Sequence, residues 1–176
     1  MNELDPILAR WANFYFITSA AAATLIGLLF VVITLAAELR IGRVGGTAKI
    51  RAYLTPTVIY FASVLGIAAL LTFPNHTRLT ATLCICFVGI AGLVYSGSRL
   101  LVGNKKRYIA WQDIILYVAL PFAAYGFIVL GGVQVLDAPQ HGLTFVAIGM
   151  LSLLTIAIRN SWSIAIDVAT NSPDTH

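Results

Sequence analysis

FYFITSAAAATLIGLLFVVITLAA, residues 14–37, runs 24 residues without a charge. At 1.5 Å rise per residue a helix of that length measures about 36 Å, enough to cross a hydrocarbon core of about 30 Å. Four further apolar runs follow, at 53–73, 79–102, 114–135 and 143–158, and each is of spanning or near-spanning length. Backbone inside a bilayer must satisfy its own hydrogen bonds, so runs of this kind are read as helices. The expected fold is an all-α integral membrane protein. It is a bundle of five transmembrane helices at about 14–37, 48–73, 79–102, 113–135 and 143–166, forming a single domain over residues 1–176 with a disordered tail at 171–176. The segment 1–13, with Pro6 and Trp11, reads as an interfacial lead ahead of the first helix.

Composition supports this class. The chain is 59% hydrophobic and 10% charged, with mean hydropathy +0.89, values outside the range of water-soluble domains. Of the eleven Lys and Arg, Arg40, Arg43, Lys49 and Arg51 cluster in or beside the first connection, and Lys105, Lys106 and Arg107 in the third. Arg99 and Arg159 lie near helix ends on that same side, and only Arg10 and Arg78 face the other way. The positive-inside rule then puts the first and third connections and the C-terminus in the cytoplasm and the N-terminus outside. The net charge of +4 reports topology and contact with anionic lipid rather than nucleic-acid binding. No cleavable signal is visible in the first ten residues. Cys84 and Cys86 are two apart within a helix, point about 200° away from one another and cannot bridge; they read as buried thiols.

The second half repeats the first at an offset of 65 residues. Pro56 matches Pro121, Tyr60 matches Tyr125, Val64-Leu65-Gly66 matches Val129-Leu130-Gly131, Pro74 matches Pro139, and His76 matches His141. The helices that follow share a step of three, four, three: Gly89, Gly92, Ser96, Arg99 in one and Gly149, Ser152, Ile156, Arg159 in the other. Such steps hold one helical face, so each arginine closes a stripe of mostly small residues suited to close helix packing. Read as a duplication, helices two and three form one hairpin and helices four and five its parallel copy. Ser19, Ala23 and Gly27 give the first helix a similar packing face, within or between subunits.

The polar residues within the apolar runs are the functional candidates. Arg99 and Arg159 have two readings. Either they snorkel to the cytoplasmic headgroups, or they turn inward and join Glu38, Asp113 and Asn160 in a charge cluster. Asp113, Tyr117, Pro121 and Tyr125 recur every four residues along the fourth helix, and Pro56 and Tyr60 repeat the latter part of that pattern in the second. A helical proline frees the carbonyl four residues earlier, so these positions read as kinks or as the lining of a polar path. His76 and His141, in equivalent outer loops, read as solvated loop histidines; the alternative is that they come near each other as a metal or pH site, for which two histidines without a third ligand are a weak signal.

The run AAAATLIGLLFVVITL at 20–35, together with Ile158-Arg159-Asn160-Ser161-Trp162, resembles a group of small bacterial multi-pass membrane proteins of unknown function. Some of these carry automatic labels as modulators of a membrane-bound AAA protease. In that group an acidic residue directly follows the tryptophan, whereas here the position is Ser163 and the next carboxylate is Asp167. The resemblance implies a fold and a bacterial inner membrane, not an activity.

Nothing in the spacing of His, Cys, Asp or Glu suggests a metal or cofactor, and no nucleophile adjoins a base, so no enzyme is expected. The expected function is an oligomeric channel or transporter for small ions, with anions slightly favoured by the two arginines. The alternative is a non-catalytic membrane protein that binds or regulates another membrane protein through its small-residue faces. The expected partners are the lipid bilayer, further copies of the chain and, on the alternative, another membrane protein.

Overall fold

In a computed structural model, described here for residues 4–39, 46–74, 76–103 and 119–170, the chain forms five helices. They are α1 (Asp5–Leu39), α2 (Gly46–Thr72), α3 (Arg78–Gly103), α4 (Leu120–Gln134) and α5 (Pro139–Thr170). No strand occurs among the described residues. Four of the helices, α1, α2, α3 and α5, are long and apolar enough to cross a membrane; the described part of α4 is apolar but shorter, at 15 residues. Asp113 and Tyr117 lie outside the described residues, as do the Glu38 side chain and the tail 171–176.

The first helix begins well before the expected Phe14. Leu4 O accepts hydrogen bonds from the amides of Ile7 and Leu8 at 3.1 and 2.9 Å. Asp5 stands in the first turn, where a carboxylate faces the positive end of the helix, and Pro6 occupies an early position where a missing N–H costs nothing. From Asp5 onward, the segment read as an interfacial lead is therefore the first turns of α1. Its aromatic residues pack on one another, Trp11 edge-on to Phe14 at 5.6 Å between ring centroids.

Helices α2, α3, α4 and α5 pack in that cyclic order, with α4 flanked by α3 and α5, while α1 stands outside the ring against α2 and, less closely, α5. Each ring helix buries a stripe at steps of three and four: Tyr60, Phe61, Val64, Ile67, Ala68 and Leu71 on α2, and Leu143, Val146, Met150, Leu153 and Ala157 on α5. The opposite faces are also apolar. Phe16, Phe30, Phe87, Val94, Leu130 and Trp162 are all exposed, the inside-out pattern expected of a surface that meets lipid rather than water.

Alpha carbons without side chains bring α4 close to both neighbours. A Cβ on Gly131 would stand 2.6 Å from Gly142 O, and one on Gly142 would stand 2.6 Å from Val135 N, so α4 and α5 touch backbone to backbone near their connection. On the other side a Cβ on Gly92 would enter the Tyr125 ring, and one on Gly89 would stand 2.7 Å from Val129 Cγ2. Gly149 of α5 lies against Ile128 and the Ala124 carbonyl. Small residues substitute here for the hydrophobic drive that lipid cannot supply. Ser19, Ala23 and Gly27 pack differently: Ala23 and Gly27 are exposed, no atom comes within 4 Å of a Cβ on Gly27, and α1 instead buries Tyr15, Thr18, Ala22 and Leu29.

The two tight connections meet at one end. Arg78 Nη1 donates to Leu136 O at 3.1 Å, tying the start of α3 to the end of α4, and Thr82 Oγ1 donates to Gly132 O at 2.9 Å. Thr77 and Thr80 cap α3 reciprocally, each hydroxyl accepting the other residue's amide at 3.1 and 2.9 Å. His76 is buried rather than solvated, with Nε2 2.6 Å from Leu70 O and Nδ1 3.3 Å from Thr80 Oγ1. It donates to a carbonyl in the last turn of α2 that also accepts a longer bond, 3.3 Å, from the Phe73 amide. His141 is exposed in the first turn of α5, and no group of three metal-ligating side chains occurs among the described residues.

Candidate functional site

Away from that end, the interior of the ring turns polar. Pro56 and Thr57 are buried on α2, Tyr60 follows one turn later, and Ser63 after that. Tyr125 reaches across from α4 and shares a hydrogen bond with Ser63 at 2.8 Å between the two hydroxyl oxygens. The repeat-related pair Tyr60 and Tyr125 meet with ring centroids 6.2 Å apart. Tyr125 can occupy this position because Gly92 leaves room for its ring. Pro121 is buried in the first turn of α4, where it interrupts no hydrogen bond within the described residues.

Arg99 belongs to the same region. Its Nη1 donates to Tyr95 Oη at 3.1 Å, and its guanidinium carbon lies 6.0 Å from the Tyr95 ring centroid. A helical side chain leans toward the helix N-terminus, so this bond draws the half-buried guanidinium back along α3 toward the middle of the bundle. An arginine snorkelling from the end of α3 would extend the opposite way. The Tyr60 hydroxyl lies within electrostatic reach of Tyr125, Tyr95 and Arg99. Ser96, between Gly92 and Arg99 on one face of α3, is 2% exposed.

Arg159 differs from its repeat-related partner. It is exposed, and the adjacent Asn160 is buried in its stead at 6% exposure. The buried stripe of α5 runs through Met150, Leu153, Ala157 and Asn160, about 100° around the helix from Arg159. Ser152 is half-buried and back-bonded to Ile148 O at 2.8 Å. The structure thus brings Tyr60 against Tyr125 and turns Arg99 toward Tyr95, with the buried Pro56 and Pro121 one turn before the two tyrosines and the buried Ser96 one turn before Arg99, and it leaves Arg159 at the surface. The cluster's other expected members, Glu38 and Asp113, fall outside the described side chains.

Tyr95 and Ser63 were not singled out by sequence reasoning. Tyr95 stands four residues before Arg99, the spacing at which helical side chains meet, and Ser63 stands three residues after Tyr60. Both spacings are visible in the sequence, but only packing shows that they face the same interior.

No family model, curated protein or solved structure matches this chain.

Proposed function

We propose that this chain is a membrane transport protein for small ions, working as an oligomer, with anions favoured. The observation that carries the reading is the inward Arg99, bonded to Tyr95 and facing the Tyr60–Tyr125 pair in the interior of a bundle whose outer surface is apolar. Placing an arginine inside such a bundle costs roughly 2.5–3.5 kcal/mol on insertion scales, and an ionisable group kept there at that cost points by default to a functional role such as an ion route. Tyr60, Phe61, Ile67 and Ile128 fill the centre of one chain, so a continuous route calls for several subunits around an axis. The meeting of Tyr60 with Tyr125 is also what a hairpin duplication about an axis along the membrane normal would produce. The test is ion flux through the purified protein in liposomes under voltage, pH steps and tension; flux equal to that of empty liposomes, with a folded sample, would reject transport.

The second reading has its own observation: on the small-residue face of α1, Ala23 and Gly27 are exposed and Ser19 is half-buried, with nothing among the described residues packed on Gly27. A non-catalytic protein that holds another membrane protein through α1 would use such a face. Under either reading the N-terminus lies outside and the C-terminus in the cytoplasm of a bacterial inner membrane, supported by the nine-to-two division of basic residues. A cysteine replacing the exposed His141 is expected to react with an impermeant maleimide from outside only. One replacing the buried His76 should react far more slowly from that side. Labelling at position 141 from the inside would overturn the orientation.

A further inference from the structure

The ring of four helices is not held equally at each contact. Along α3, Arg78 Nη1 donates to Leu136 O at 3.1 Å, Thr82 Oγ1 to Gly132 O at 2.9 Å, and Cys86 Sγ reaches Val129 O at 3.9 Å, so one face of α3 meets carbonyls of α4 at every fourth residue. Helix α4 in turn meets α5 backbone to backbone at Gly131 and Gly142. These three helices form one body. Among the described residues α2 and α3, although joined by a tight turn, pack least closely of the neighbours in the ring.

Burial traces the seam between them. On α2, Ile59, Ser63, Gly66 and Leu70 follow one another at steps of four, three and four, and all four are half-buried. On α3 the same steps give Cys84, Val88, Ala91 and Tyr95, of which Ala91 is exposed and the others half-buried. Cys84 stands about 200° around the helix from Cys86, so this stripe lies away from the α4 contact. Other faces of the same helices are fully buried, at Phe61, Val64 and Ala68 on α2 and at Ala81 and Ile85 on α3.

Two fastenings cross the seam. Beside the connection, His76 lies 2.6 Å from Leu70 O and 3.3 Å from Thr80 Oγ1, tying the last turn of α2 to the first turn of α3. About two turns further along α2, Tyr125 passes from α4 beneath α3, its ring where a Cβ on Gly92 would stand, and its hydroxyl oxygen lies 2.8 Å from Ser63 Oγ. Ser63 donates its own proton to Ile59 O at 2.8 Å, so Tyr125 is the donor in this pair. Breaking one such neutral bond changes an equilibrium by only about two- to tenfold.

We infer that the seam between α2 and α3 is a lateral gate, in which α1 and α2 swing from the α3–α4–α5 body about the end held by His76, and that the Tyr125–Ser63 hydrogen bond is its latch. An opening there connects the Tyr60–Tyr125 pair with the bilayer rather than with water. The gate goes beyond the transport reading and does not depend on it, because the motion is measured without flux.

Cys84, on the seam, reports the motion. A Cys86→Ala chain in vesicles is treated with pyrene maleimide, a bulky reagent that dissolves in the bilayer, and labelling of Cys84 is followed by fluorescence. Ser63→Ala and Tyr125→Phe each remove the latch and should raise the labelling rate about two- to tenfold, in proportion to the open population. Thr82→Val, which removes a bond within the α3–α4–α5 body, should leave the Cys84 rate unchanged. Cys86, followed in a Cys84→Ala chain, should be labelled equally with and without the latch. Equal Cys84 rates in latched and unlatched chains overturn the gate. So does an equal acceleration of Cys84 by Thr82→Val, or of Cys86 by the latch variants, since either means that the whole bundle has loosened. Flux in liposomes from a chain whose Cys84 rate ignores the latch would uphold transport and reject the gate.

Discussion

Replacing Gly131 with alanine is expected to destabilise the bundle by about 3 kcal/mol or more, or to prevent its folding. The added Cβ would stand 2.6 Å from Gly142 O and 2.8 Å from Val146 N, both backbone atoms of α5. No side-chain rotation relieves such a clash, so α4 and α5 must separate, and everything packed between them loosens. Gly142→Ala should behave alike, because its Cβ would meet Val135 N and Gly131 O across the same contact, at 2.6 and 2.7 Å. Gly66→Ala and Gly126→Ala supply the comparison: nothing lies within 4 Å of either Cβ, and the better helix former should leave stability unchanged or raise it by up to about 1 kcal/mol. Unfolding in detergent by heat or by added SDS distinguishes the two groups. If Gly131→Ala matches Gly66→Ala, the close approach of α4 to α5 is refuted.

The same contrast among glycines explains what the sequence reveals and what it hides. Membrane-spanning helices declare themselves by length and apolarity, so the apolar runs are legible from residue order alone. The direction a helix faces is much less legible, since both its lipid side and its packed side are apolar. Ser19, Ala23 and Gly27 have the spacing of a packing stripe, yet α1 turns Tyr15, Thr18 and Ala22 inward instead. The matching stripes that end on Arg99 and Arg159 diverge for a related reason. On α3 the stripe coincides with the buried face at Gly89, Gly92 and Ser96; on α5 it runs along the edge of the buried face, so Ser152 is half-buried and Arg159 exposed. Identical spacing carried no information about phase relative to the core. His76 was hidden differently, because its bond to Leu70 O depends on how the chain turns after α2.

That divergence of phase separates the two arginines functionally. In liposomes the native protein is expected to pass small anions in preference to cations, and Arg99→Glu should abolish or reverse the preference, whereas Arg159→Glu should change it little. The argument is electrostatic. A charge acts on a permeating ion in proportion to 1/εr, and the effective dielectric constant falls from about 80 in water to about 20 for a group partly enclosed by protein. Arg99 is half-buried, bonded to Tyr95 and directed along α3 toward the Tyr60–Tyr125 pair, while Arg159 sits on the exposed surface of α5. Reversing a charge inside the bundle should therefore alter the barrier for an ion by far more than reversing one at its surface, where water and salt screen it within about 8–10 Å. Arg99→Lys keeps the charge but not the planar donor geometry toward Tyr95, so it should preserve anion preference while lowering the rate. Equal loss of selectivity in Arg99→Glu and Arg159→Glu would mean that both charges act from the surface at that end of the bundle, and the interior cluster would then have no part in selecting the ion.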